Sequence, residues 1–183
     1  MRSLVVVDTE TTGLWPGSSV ILEVAAINVA TGEELYFAPH ASPEDLGKAD
    51  GDAMRINRYY ERGVYKNMSS PTATVEFYSQ LWLMLEGNTL GGSNPRFDAA
   101  MLTAARNTLI EPWHYRLADL AAYAAGALHL PPNQLVSLED VCKTLRVDTG
   151  TAHSALDDAR ATAECFRELS RRYTAGAATG VTL

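Results

Sequence analysis

An unbroken apolar run, Leu4-Val-Val-Val7, leads into the alternating triplet Asp8-Thr-Glu10 and reads as a strand whose far end is polar. With a side-chain period of two, Asp8 and Glu10 share one face and Thr9 takes the other. Residues 3–9, 20–29 and 33–38 read as three strands, separated by a Gly/Pro/Ser turn around Pro16 to Ser19 and a tight turn at Thr31-Gly32. Connections this short predict an antiparallel meander. Val75, Tyr78, Leu81, Trp82 and Leu85 then recur at helical spacing within Pro71 to Leu85, and Asn88 to Ser93 reads as a short glycine-containing strand. A helix from Asp98 to Leu109 follows, then a short strand near Tyr115 to Ala118 and a helix from Leu120 to Leu128. Pro131 and Pro132 break the pattern, and Ser137-Leu-Glu-Asp140 has capping-box spacing for a helix ending at Leu145. The last long helix covers Ser154 to Tyr173; residues 174–183, rich in Ala, Gly and Thr, read as a flexible tail. Strands first, then strands mixed with helices, predict an α/β fold: one domain over residues 1–173, with a mixed central sheet of about five strands flanked by helices.

Two helical stripes are interrupted by acids. Asp98 lines up with Met101, Leu102, Ala105 and Leu109 on the side a helix normally buries. On the last helix Ala155, Asp158, Thr162, Cys165 and Leu169 make a similar stripe, while the adjacent Asp157 falls roughly opposite. The period therefore selects Asp158 over Asp157. Burying an ionised carboxylate without a partner is costly, so four inward acids predict raised pKa values or bound cations. Oxygen donors of this kind favour Mg²⁺ or Mn²⁺.

Composition narrows the setting. The chain has 183 residues, 46% hydrophobic and 20% charged, which suits one globular domain with a proper core. No stretch approaches the roughly 18 apolar residues of a membrane span, and Asp8 comes before any signal-type run could form. The expected location is the cytoplasm. A net charge of −7 argues against coating nucleic acid by bulk positive charge, but not against an enzyme that grips a strand end. Metal at the acids would also relieve local repulsion of a polyanion. Cys142 and Cys165 show no zinc or redox spacing and read as reduced core residues.

His153 cannot share the Asp158 stripe and is expected in the loop entering the last helix, where a neutral imidazole suits a general base. The ordered segments Asp8-Thr-Glu-Thr-Thr-Gly13, Asn94-Pro-Arg-Phe-Asp98 and His153-Ser-Ala-Leu-Asp-Asp158 resemble the three motifs of the DnaQ-like DEDDh 3′–5′ exonucleases. That family includes the proofreading epsilon subunit of bacterial DNA polymerase III. The resemblance runs from about residue 3 to 170, and its force lies in all three motifs together. It implies a ribonuclease H-like fold and a two-metal mechanism, with Asp8, Glu10 and Asp158 holding two divalent cations and Asp98 assisting. His153 would be the base, and 5′-mononucleotides the product. It further implies that Asn94 contacts the terminal nucleotide, and that Leu14 and the backbone of Thr11, Thr12 and Gly13 hold or wedge the last base. The family often has histidine where this chain has Ser93, a departure that bears on substrate preference rather than on the metal set.

Plainer readings stand beside these. Asp8 and Glu10 could be an edge-strand pair facing water, and His153 an ordinary loop histidine. Glu23, inside an apolar strand, reads as a structural hydrogen-bonding residue and Asp119 as a helix N-cap. Arg55, Arg58, Arg62 and Lys66, interleaved with Tyr59, Tyr60 and Tyr65, could track a single strand or form a solvated face. Gln134 to Leu138 faintly resembles a sliding-clamp peptide, but the capping box accounts for it better. The expected activity is a metal-dependent 3′–5′ exonuclease on single-stranded ends, DNA favoured over RNA, with a DNA polymerase as a partner to consider. The rivals are an exoribonuclease or short-oligonucleotide hydrolase of the same family, a catalytically silent accessory subunit of a polymerase, and a metal-binding structural domain. Oligomeric state is not encoded in any feature of the chain.

Overall fold

The structure, a computed structural model, describes residues 2–108 and 110–178, with side chains followed to Thr174. Leu109, the last position of the stripe that begins at Asp98, lies outside the described residues, as do residues 179–183 of the expected tail. Three antiparallel strands open the fold: β1 (Leu4–Thr11), β2 (Ile21–Asn28) and β3 (Glu34–Phe37). Two short helices, α1 (Pro43–Gly47) and α2 (Gly51–Asn57), and a 3-10 turn over Val64–Asn67 come next. Then follow α3 (Pro71–Leu85), β4 (Thr89–Gly92), α4 (Pro95–Arg106), β5 (Ala118–Asp119), α5 (Leu120–Ala127), α6 (Leu138–Leu145) and α7 (Ala155–Ala178). Both β4 and β5 run parallel to β1, giving a five-stranded mixed sheet in the order β3-β2-β1-β4-β5. The α/β class and the sheet of five strands are as the sequence predicts.

β1 lies at the centre and feeds two cores. Val6 packs with Ala25, Ile27, Leu120, Val141, Ala159 and Phe166 on the α5–α7 side of the sheet. Val5 and Val7 pack with Val24, Leu81, Leu85, Met101 and Leu102 on the α3–α4 side. The same alternation carries Asp8 and Glu10 toward α7 and Thr9 toward α4. A register shift between Glu10 and Thr11 ends the regular pairing with β2 just past the acids. β4 can lie this close because it ends in two glycines: a Cβ on Gly92 would sit 2.9 Å from the Val7 carbonyl oxygen.

Several local expectations shift. The strand expected near Tyr115 to Ala118 is the two-residue β5, set by its parallel pairing of Gly91 with Ala118 and Gly92 with Asp119. Val75 is exposed while Phe77 stacks on Phe37 at a centroid distance of 5.3 Å, so the buried face of α3 starts from Phe77. Ala105 is exposed too, since α4 ends at Arg106 with Asn107 left-handed at φ 52° and its last turn runs beyond the sheet. α7 continues to Ala178, five residues past Tyr173, in keeping with the helix propensity of alanine. Helices α1 and α2 are additions, each with a readable cap: Ser42 and Asp45 form a reciprocal capping box and Asp50 caps α2. At Ser137 the box is incomplete. Its hydroxyl accepts from the Asp140 amide at 3.2 Å and donates to the Asp140 carboxylate at 2.8 Å. Among the described residues, no helix is long and apolar enough to cross a membrane.

Candidate active site

The three motif segments meet where β1 ends. Glu10 comes from the strand, Asp158 from the first turn of α7, and His153 from the loop two residues ahead of that helix. One ligand atom from each lies within 4.8 Å of the other two. His153 is exposed and left-handed (φ 58°), and its backbone N–H donates to Asp158 Oδ2 at 3.0 Å. The bond joins the turn carrying the imidazole to the carboxylate beside it. Asp157 points elsewhere, as the helical period predicts: it accepts the Thr151 amide at 3.0 Å and closes the loop ahead of His153. Gly150 permits that closure, because a Cβ there would meet the Asp157 carboxyl carbon at 2.9 Å.

Asp98 reaches the same strand end from the other layer. It is 3% exposed on the first turn of α4, and the Thr9 hydroxyl donates to its Oδ1 at 2.8 Å. Asp8, partly buried, stands on the α7 side with Glu10. Burial raises all four acids, and neighbouring carboxylates raise Asp8, Glu10 and Asp158 further. Burial first, then the charges of Asp98, Glu10, Asp158 and Glu23, raise Asp8 well above the usual carboxylate range. Glu10 is pushed up from 4.5 to about 8 by burial and by Glu23 and Asp158, with Arg62 opposing. Asp98 is raised to about 7 by burial, against the hydrogen bonds from Thr9. Asp158 is raised by burial, against the amide and imidazole of His153. Acids raised above their ordinary range for want of positive charge, with oxygen donors converging beside an imidazole, fit a divalent cation of the Mg²⁺ or Mn²⁺ class.

Behind Glu10 stands a second acid. Glu23 is its cross-strand partner in register, on the same face and only 1% exposed. It accepts from the Tyr36 hydroxyl at 2.7 Å and pairs with Arg62, whose Nε also donates to the Asn57 carbonyl at 2.8 Å. Glu23 thus has the structural bonding role its position suggests. Arg62 and the buried Tyr59 are correspondingly withdrawn from any strand-tracking surface, whereas Tyr60 and Tyr65 stay exposed. Asp119 caps α5, accepting the Ala121 amide at 2.8 Å.

The residues expected around the terminal nucleotide divide. Thr11 donates to the Gly13 carbonyl at 2.7 Å, and Thr12 Oγ1 accepts the Val20 amide at 2.9 Å. The carbonyl of Thr11 accepts from the Asn57 side chain at 3.1 Å and that of Thr12 from the Asp50 amide at 2.7 Å. These two residues therefore shape the loop from within. A Cβ on Gly13 would come 2.8 Å from Ser19 Oγ, so a side chain there would make that hydroxyl turn away. Leu14 and the neighbouring Trp15 stand out from it, 71% and 76% exposed. Asn94, exposed and left-handed at φ 64°, precedes α4 without using its side chain as a cap. Sequence reasoning placed Thr9 on the opposite face and gave it no task. It also offered Arg62 to a substrate strand or to a solvated face, and not to Glu23.

Residues 5–166 match the RNase_T family model, described as Exonuclease. The oligoribonuclease of Pseudomonas syringae pv. syringae is 28% identical over 173 residues, covering 87% of this chain and 89% of the relative. The ribonuclease T of Baumannia cicadellinicola is 30% identical over 187 residues, covering 92% and 84%. Among solved structures, a zinc-bound complex of Escherichia coli exonuclease I with single-stranded DNA aligns with a TM-score of 0.74 at 20% identity. That alignment covers 95% of this chain but 41% of exonuclease I, and it supports the ribonuclease H-like architecture.

Proposed function

This chain belongs to the RNase_T exonuclease family, and from that premise we propose that it is a metal-dependent 3′–5′ exonuclease of the DEDDh type acting on single-stranded nucleic acid. The observation that carries the reading is the convergence of Glu10, Asp158 and His153 within 4.8 Å of one another, with Asp8 and Asp98 at the same strand end. Asp8, Glu10 and Asp158 would hold two divalent cations, with Asp98 in support. When bound, these cations supply Lewis-acid charge that offsets the negative charge of the reacting phosphate.

The chain's own residues do the rest. His153, exposed at the turn beside Asp158, takes the proton of the attacking water. The water oxygen forms a bond to phosphorus while the bond to the upstream 3′ oxygen breaks in line, so the terminal nucleotide leaves as a 5′-mononucleotide. Leu14, exposed on the loop after β1, would wedge the last base, and Asn94 would contact the terminal nucleotide.

The sequence reading favours DNA, whereas relatives named oligoribonuclease and ribonuclease T, matched over most of their length, favour RNA as a second reading. Digestion of 5′-labelled single-stranded DNA and RNA of equal sequence, with Mg²⁺, Mn²⁺ or EDTA, tests both. A metal-dependent ladder shortening from the 3′ end is expected, and the faster strand identifies the sugar. Cleavage of neither strand would turn the reading toward a silent accessory module.

A further inference from the structure

The chain has two cysteines, and the fold brings them together in the core between α6 and α7. Cys142 on α6 and Cys165 on α7 are both buried, with their Sγ atoms 3.5 Å apart in a core that includes Val141, Leu145, Phe166 and Leu169. We propose that Cys142 and Cys165 are an oxidative modification site, closing reversibly into an intramolecular disulfide that staples α6 to α7. A disulfide bond is about 2.05 Å long, so each sulfur would need to move only roughly 0.7 Å along the line between them. The chain has no third thiol to compete for either sulfur.

The thiols share a hydrogen bond, which holds Cys142 below the usual thiol range, while that bond and burial push Cys165 up. Either sulfur can be the donor in that bond, so the reaction balances alike whichever attacks first. With a peroxide as oxidant and Cys142 attacking, its thiolate strikes one oxygen: the S–O bond forms, the O–O bond breaks, and hydroxide takes up the thiol proton to leave as water. Cys165, giving up its proton, then attacks the Cys142 sulfur. The S–S bond forms, the S–O bond breaks, and a second water departs. Two thiols lose two electrons and one peroxide gains them. Access comes through local opening of α6, an eight-residue helix between two irregular segments.

The closed loop would contain Asp148 to His153 and the first turn of α7 with Asp158. Any effect on turnover rests on the exonuclease reading above; the cross-link itself does not. The test treats purified protein with hydrogen peroxide, then measures intact mass, thiols titratable after unfolding, and melting temperature, with and without dithiothreitol. The expected result is the loss of two hydrogens, no titratable thiol, a linked peptide pair, and a melting temperature raised by several degrees. Dithiothreitol should reverse each change, and Cys165→Ser and Cys142→Ala should show none of them. Oxygen addition without loss of hydrogen, both thiols still titratable, or links only between chains would overturn the proposal. The mass and thiol readings on the unaltered protein decide the matter even if both variants fail to fold. Oligonucleotide digestion by the same samples is scored separately: inactivity of both forms would count against the exonuclease and leave the cross-link standing.

Discussion

A single hydroxyl joins the two layers of the site. Thr9 faces away from Asp8 and Glu10, yet through its 2.8 Å bond it is the side chain that fixes Asp98. Replacing it with valine keeps the shape and leaves a buried carboxylate short of a donor, a change that costs about 1–3 kcal/mol. Thr9→Val should therefore lower kcat about tenfold or more with a smaller change in KM, and Thr9→Ser should restore most of it; steady-state kinetics on a labelled oligomer checks both. His153 makes a different prediction, because its backbone amide and its imidazole have separate jobs. His153→Ala keeps the N–H that holds Asp158 and loses only the base, which should cost on the order of 10²–10⁴ in kcat. Mn²⁺ titration calorimetry should show cation binding retained. Unchanged turnover would remove His153 from the chemistry.

At the scale of elements, the entry to α7 decides whether that imidazole is in place. Asp157 closes the loop by accepting the Thr151 amide, with Gly150 making room. Asp157→Ala should free the loop, lowering kcat several-fold and the melting temperature by a few degrees, with Mn²⁺ affinity less affected; kinetics, melting and calorimetry on one preparation would separate these. What the sequence disclosed about this region was what depends on local period. Alternation placed Asp8 and Glu10 together, and the 3.6-residue stripe chose Asp158 over Asp157. It did not disclose which side chains meet across the fold. Thr9 and Asp98 are 89 positions apart, Arg62 and Glu23 are 39, and Cys142 and Cys165 are 23. Each pair is made by packing of one element on another, about which periodicity within either element carries no information. The caps of α1 and α2 were readable in Ser42 and Asp50, but five- and seven-residue helices are too short to build a stripe.

For the molecule as a whole, the acid cluster ties stability to pH and to metal. Glu10 and Asp98 hold protons in the fold up to about 8 and about 7, against ordinary values of 4.5 and 3.8, and Asp8 and Asp158 shift the same way. A group whose pKa is raised by folding favours the folded state below its unfolded pKa and loses that contribution as pH rises through its folded one. Metal-free protein should therefore be most stable at mildly acid pH and weaken steadily between about pH 4.5 and 8, by up to about 1.4 kcal/mol per pH unit for each group losing its extra proton. Divalent cations bind the deprotonated form, so Mg²⁺ or Mn²⁺ should raise the melting temperature more at pH 8 than at pH 5.5, and EDTA should cancel the rise. Asp8→Asn separates this cause from general charge effects. It removes one acid from the cluster, so it should gain less from Mn²⁺ than its parent does, and its lead in metal-free melting temperature should grow as pH rises, because burial and the neighbouring charges raise Asp8. A metal-free melting temperature that rises toward pH 8, or an Asp8→Asn protein less stable than its parent at pH 8, would mean that the four acids are not held together against their own repulsion, and the reading of the site as a cation cradle would fail with it.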